Sequence, residues 1–276
     1  MQPKRILFTL GMHRSGTSLL ASWLQDCGLF IGENLLPAAI GNKKGHFEDV
    51  RFLNLHQRVL GELSPIKRWY QPTVDFTQVA RQLIQDNNRR HNQWSWKDPR
   101  TCLLLPAWES LLPDAKAIII FRHYAQVTDS LIRRLQEINR TRKNRLIAAW
   151  NRWTRRYESA AFADECLLRW ITYNEHILDY VARKATGDYV VVEVSSLVRH
   201  DRAIYQRLVA DMGFVLTFRP LTGVFDGQMI RTDVENQLPC SPHLLRKADA
   251  IYQQLQALEL ATLTGGANSR LRTLDV

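Results

Sequence analysis

The stretch Gly11-Met12-His13-Arg14-Ser15-Gly16-Thr17-Ser18 limits what this chain can be more than any other segment. An apolar run at residues 6–10 enters it, and Leu19, Leu20, Trp23 and Leu24 leave it at helical spacing, so the order reads strand, loop, helix. A loop in that setting aims successive backbone N–H groups at an anion. It also seats the anion at a helix N-terminus, where the partial positive charge helps hold it. The two glycines permit close approach of backbone to ligand.

The rest of the chain repeats the alternation. Residues 94–97 read as a brief strand, 115–121 as a continuous apolar run of the buried parallel kind, and 188–194 (DYVVVEV) as a further strand. Helical patterns fall at about 50–63, 75–92, 101–112, 124–138, 144–184, 195–212 and 244–260, with Gly213 placed to cap the penultimate one. Strands alternating with helices predict an α/β fold, a central parallel β-sheet flanked by helices on both faces. At 276 residues and 45% hydrophobic composition, one domain over residues 1–263 is expected, with 264–276 a flexible tail.

The loop keeps the glycine spacing of the nucleotide-phosphate motif GxxxxGK but puts Thr17 where the lysine would stand, with a cation earlier at Arg14. That departure argues against an ATPase or a kinase. So does the run 115–121, which ends in Arg122 where a magnesium-binding carboxylate would be expected.

Here the chain resembles the PAPS-dependent sulfotransferases, in particular bacterial and carbohydrate-type members. RSGTS is similar to their 5′-phosphosulfate loop. IIIFRHYAQVTDSL is similar to their 3′-phosphate motif, a strand leading to arginine with serine eight residues later; GHFED and WKDPR extend the likeness. The resemblance implies a P-loop-like fold and transfer of the sulfuryl group of PAPS to an acceptor hydroxyl, with a glycan or small metabolite favoured. It assigns Arg14, Ser15, Gly16, Thr17 and Ser18 to the 5′-phosphosulfate, and Arg122 and Ser130 to the 3′-phosphate. Tyr124 stands where the family often has proline. The residue chemistry agrees, since arginine offers a planar, always charged fork and serine a hydroxyl donor.

For the base, Glu48 in GHFED is the first choice, because it follows a Gly/Asn-containing loop able to fold over the site. His46 is second and Glu33 third. In an extended segment Glu48 and His46 point to opposite faces. Glu48 also reads as a helix N-terminal carboxylate favoured by the dipole. Lys97, Asp98 and Arg100 place two cations and a carboxylate at a strand exit, beside the cofactor or the acceptor, or else Asp98 and Arg100 pair and cap the next helix. The basic helical region from Arg133 to Arg156 could attract a polyanionic acceptor or nucleic acid, although a solvated helix face is the favoured reading, and Trp150, Trp153 and Tyr157 read as a packing stripe.

No Cys/His cluster has metal-ligand spacing, so no metal is expected. Four widely separated cysteines fit a reducing compartment, and no segment is long and apolar enough to span a membrane, so a cytoplasmic protein is expected. The net charge of +10 favours anionic partners. Two other readings remain at this point: a small-molecule kinase, and a non-catalytic nucleic-acid-binding protein, although stable nucleic-acid binding is not expected. Strongly salt-dependent binding to RNA or DNA would mark the latter.

Overall fold

The computed structural model describes residues 4–37, 45–61, 75–141, 144–153, 159–223 and 240–264. In chain order the elements begin with β1 (Arg5–Leu10), α1 (Thr17–Asp26), α2 (Val50–Leu60), α3 (Phe76–Arg90) and β2 (Gln93–Lys97). Then come α4 (Leu105–Leu111), β3 (Lys116–Phe121), α5 (Tyr124–Arg140), α6 (Arg145–Trp153) and α7 (Ala160–Val181). The chain continues with β4 (Tyr189–Glu193), α8 (Val194–Gln206) and α9 (Pro242–Leu263). A 3-10 turn at Pro99–Leu104 leads into α4, so the helix expected at 101–112 is divided. Asp98 caps that turn and Pro106 opens the helix behind it, which explains the break.

The strands are parallel in the order β2-β1-β3-β4. Alternate residues divide the core. Phe8, Leu10, Trp96, Ala117, Ile119 and Phe121 pack on one face, against side chains of α2, α3, α4, α7 and α9. Leu7, Ile118, Ile120, Val190 and Val192 pack on the other, against α1 and α8. Burial on both faces is why these strands read as continuous apolar runs rather than alternating ones.

Strand order places the site. From β1 the chain goes to β2 on one side and then crosses to β3 on the other, which makes the carboxyl end of β1 a switch point where such sheets bind ligands. The loop 11–16, the β2 exit at Asp98 and the β3 exit at Arg122 all open there.

One packing expectation fails at Trp150, which is 62% exposed on α6. Tyr157, the tail beyond residue 264, and residues 38–44 of the loop before Glu48 lie outside the described residues. All four cysteines are free thiols. Among the described residues no helix is long and apolar enough to cross a membrane.

Candidate active site

Backbone geometry shapes the loop first. Gly11 has φ +150°, and a Cβ there would lie 2.4 Å from the Ile120 carbonyl oxygen; Gly16 has φ +90°, and its Cβ would lie 2.5 Å from Val194 Cγ2. Both positions therefore need glycine, which lets the loop lie flat on the ends of β3 and β4. Gly16 is the N-cap of α1, so α1 starts directly at the loop. Arg14 also has positive φ, +71°. A side chain held there costs about 1–2 kcal/mol, and such strain persists where surrounding contacts enforce it.

Those contacts are present. Arg14 Nε donates to Ser130 Oγ at 2.9 Å, and Arg122 donates to the Arg14 carbonyl at 3.3 Å and to Gln126 Oε1 at 2.9 Å. The loop and the β3 exit, over a hundred residues apart, are thus joined through the residues singled out for phosphate. Trp170 Nε1 donates to the Arg122 carbonyl at 3.1 Å and fixes the strand end. Tyr124 takes the first helical position of α5, the place proline tolerates, and His123 caps it by accepting from the Ala125 N–H at 3.2 Å.

Burial lowers the Arg14 pKa to about 10, aided by the charges of Arg134, Arg122 and Arg133. Burial, then Arg133, also pushes Arg122 down, against the pull of Asp129 and Glu193. Both remain cationic at neutral pH. Ser15 and Thr17 are buried within the loop, and Ser18 Oγ donates to the His46 carbonyl at 3.2 Å. That bond ties the loop 11–18 to the segment expected to carry the base.

In that segment Glu48 is buried and accepts from Lys97 Nζ at 2.8 Å. Lys97 is itself only 2% exposed, and burial lowers its pKa despite Glu48. The helix-capping role belongs instead to Asp49, which accepts from the Arg51 N–H and pairs with its guanidinium at 2.7 Å. Phe47 has φ +53°, so the simple alternation expected of an extended His46-Phe47-Glu48 is broken. His46 is partly buried, and burial holds its pKa below the usual value. Glu33 sits at the surface, paired with Arg90, and that hydrogen bond lowers its pKa.

Asp98 both caps and pairs with Arg100, accepting from its N–H at 3.0 Å and from its guanidinium at 2.9 Å. It also binds buried His56 Nδ1 at 2.9 Å, whose Nε2 accepts from Trp108 Nε1 at 3.0 Å. The indole proton assigns the histidine proton to Nδ1. Burial works against the Asp98 charge, yet His56 and Arg100 hold its pKa well below the carboxylate range.

The sequence matches the sulfotransferase family over residues 7–214. The chain belongs to the sulfotransferase family. Among solved structures, this sulfotransferase resembles the sulfotransferase domain from the curacin biosynthetic pathway at 18% identity and TM-score 0.52, covering 92% of this chain and 98% of that one. A sulfotransferase from Alicyclobacillus acidocaldarius matches at 14% identity and TM-score 0.50, covering 96% of both chains. One from Mycobacterium tuberculosis matches at 12% identity and TM-score 0.50, covering 96% of this chain and 77% of that one. These likenesses carry the α/β fold of the sulfotransferase family. No curated protein matches the sequence.

Sequence reasoning missed three features of this candidate site. Lys97 is the partner of Glu48, His56 and Trp108 support Asp98, and Arg134 turns inward with its Nε buried, although it was read as part of a solvated face. Arg133 likewise pairs with buried Asp129 at 2.8 Å. Spacing offered one signal for the arginines: Gln126, Ser130 and Arg134 stand four residues apart on one helix. Among the described residues no three His, Cys, Asp or Glu side chains gather as metal ligands.

Proposed function

We propose that this sulfotransferase takes PAPS as donor and transfers its sulfuryl group to an acceptor hydroxyl, a glycan or small metabolite being favoured. The observation that carries the reading is the junction of Arg14, Ser130 and Arg122, which brings two cations and a hydroxyl from the loop and the β3 exit into one cluster. The fit to a doubly phosphorylated nucleotide rests on the glycine positions that a Cβ would obstruct and on the buried, mutually repelling arginines.

In this reading the loop N–H groups, Arg14, Ser15, Gly16, Thr17 and Ser18 hold the 5′-phosphosulfate, and Arg122 and Ser130 hold the 3′-phosphate. PAPS supplies an activated sulfuryl group. Glu48 takes the acceptor proton while the acceptor oxygen bonds to sulfur and the bond from sulfur to the phosphate oxygen breaks, the electron pair staying with the leaving phosphate. Arg14 offsets the negative charge that develops there. Lys97 holds the Glu48 carboxylate in place, and His46 is the second candidate for the proton. Most of the rate comes from positioning and electrostatics, as in phosphoryl transfer. Four unbridged thiols support a reducing, cytoplasmic setting.

Calorimetric titration with PAP, and separately with ATP and magnesium, tests the donor. PAP binding at micromolar affinity with much weaker ATP binding is expected. Preference for ATP with magnesium would replace the reading with a kinase, and failure to bind either would remove it.

A further inference from the structure

Helix α5 presents Gln126, Ser130 and Arg134 in a row at four-residue spacing, on one side of the helix. The first accepts from Arg122 and the second from Arg14, so the row faces the loop and the β3 exit. Arg134 comes one turn, about 6 Å, beyond Ser130. Its Nε is buried and has no hydrogen-bond partner. A buried unpaired donor destabilises a fold and calls for an explanation, and one on a cation next to a binding site is explained by an anion that completes it.

Two phosphate positions are already matched by nearer groups, the 5′ one by the loop and the 3′ one by Arg122 and Ser130. Arg134 lies further along the helix, towards the other half of the site. Its charge acts on Arg14 and His13 in the loop and on His46 beside Glu48. Its charge thus reaches both the loop expected to hold the donor and the segment that carries the proposed base. His13, whose ring meets Tyr173 edge to face, offers no charge of its own at neutral pH, because burial and then Arg100 lower its pKa to about 3.

We propose that Arg134 binds an anionic group carried by the acceptor, so that the substrates of this enzyme are hydroxy compounds bearing a carboxylate or a phosphate. This rests on the donor and base reading given above. A guanidinium fork suits either oxyanion, and its charge offsets the repulsion between an anionic acceptor and the sulfuryl group.

The test is titration of PAP-saturated protein with matched probes: a panel of aliphatic and aromatic hydroxy acids, each against its methyl ester, and glycerol 3-phosphate against glycerol. At least one acidic probe should bind about tenfold to a hundredfold more tightly than its neutral partner, the range of a charge-assisted contact. Arg134→Gln should abolish that preference and Arg134→Lys retain part of it, with any loss of PAP affinity well below the loss for the acid. Whether the carboxylate or the phosphate arm prevails identifies the group. No preference in the wild type, a preference that survives Arg134→Gln, or a loss of PAP affinity in that variant as large as the loss for the acid would overturn the inference. PAP binding without acid preference sinks this inference alone, whereas absence of PAP binding sinks the donor reading with it.

Discussion

Around the loop 11–18 and the β3 exit, cations crowd together: Arg14 and Arg122 reach neutral oxygens of Ser130, Gln126 and the backbone, and neighbouring arginines depress their pKa values further. At the β2 exit the buried charges meet opposite partners, Lys97 with Glu48 and Asp98 with Arg100, while His56 adds a hydrogen bond. The contrast separates two jobs. In the proposed reading, the cations gathered at the first site attract an anionic ligand, and the ion pairs of the second hold a carboxylate for the acceptor.

The sharpest way to break this contrast is to unmatch the second site. Lys97→Met leaves Glu48 buried without its cation and should cost about 3–5 kcal/mol of stability in denaturant unfolding. A loss below ~1 kcal/mol would mean that the pair is not a supporting element. Glu48→Gln keeps an oxygen that Lys97 can bond but not its counter-charge, so stability should fall by less than in Lys97→Met. In the folded variant PAP affinity should survive while transfer from PAPS to a hydroxyl probe slows by about a hundredfold or more. Near wild-type transfer would move the base role to His46.

On the donor side, Ser130→Ala should weaken PAP by about 1.5–3 kcal/mol, as for one hydrogen bond to a charged group. Equal PAP affinity would take the serine out of the phosphate site. The last expected effect concerns His13 and appears only as pH is varied. Its pKa of about 3 in the folded protein lies below the ordinary 6.5, so the unfolded chain binds more protons between those values and stability rises with pH across that window. His13→Asn should flatten that rise in pH-dependent unfolding. An unchanged slope would contradict the burial of the neutral ring.

What was legible in the sequence follows the same division. The loop and the β3 exit could be read because each is a local pattern, an apolar strand running into glycines or into arginine, and the sheet order then brings the two together. Lys97 and Glu48 are 49 residues apart, and His56 is 42 from Asp98, with no periodicity linking them; only the packing of α2 and the 45–49 segment over the β2 exit makes them partners. Burial of the charged residues also ran against expectation, since lone charges in a polar stretch read as solvated until a partner is seen. Arg134 was missed for that reason. The exposed Trp150 fails in the opposite sense: an apolar stripe shows that a helix has a face, not that the face is covered.

The central claim is that the loop and the β3 exit together form a site for a nucleotide carrying both 5′- and 3′-phosphates. Titrating wild type and Arg122→Ala with PAP and with AMP, which lacks the 3′-phosphate, tests it most directly. Wild type should favour PAP by about 1.5–3 kcal/mol, and the substitution should remove most of that preference while leaving AMP affinity nearly unchanged. Equal affinity of the wild type for the two nucleotides, or a preference untouched by Arg122→Ala, would contradict the account.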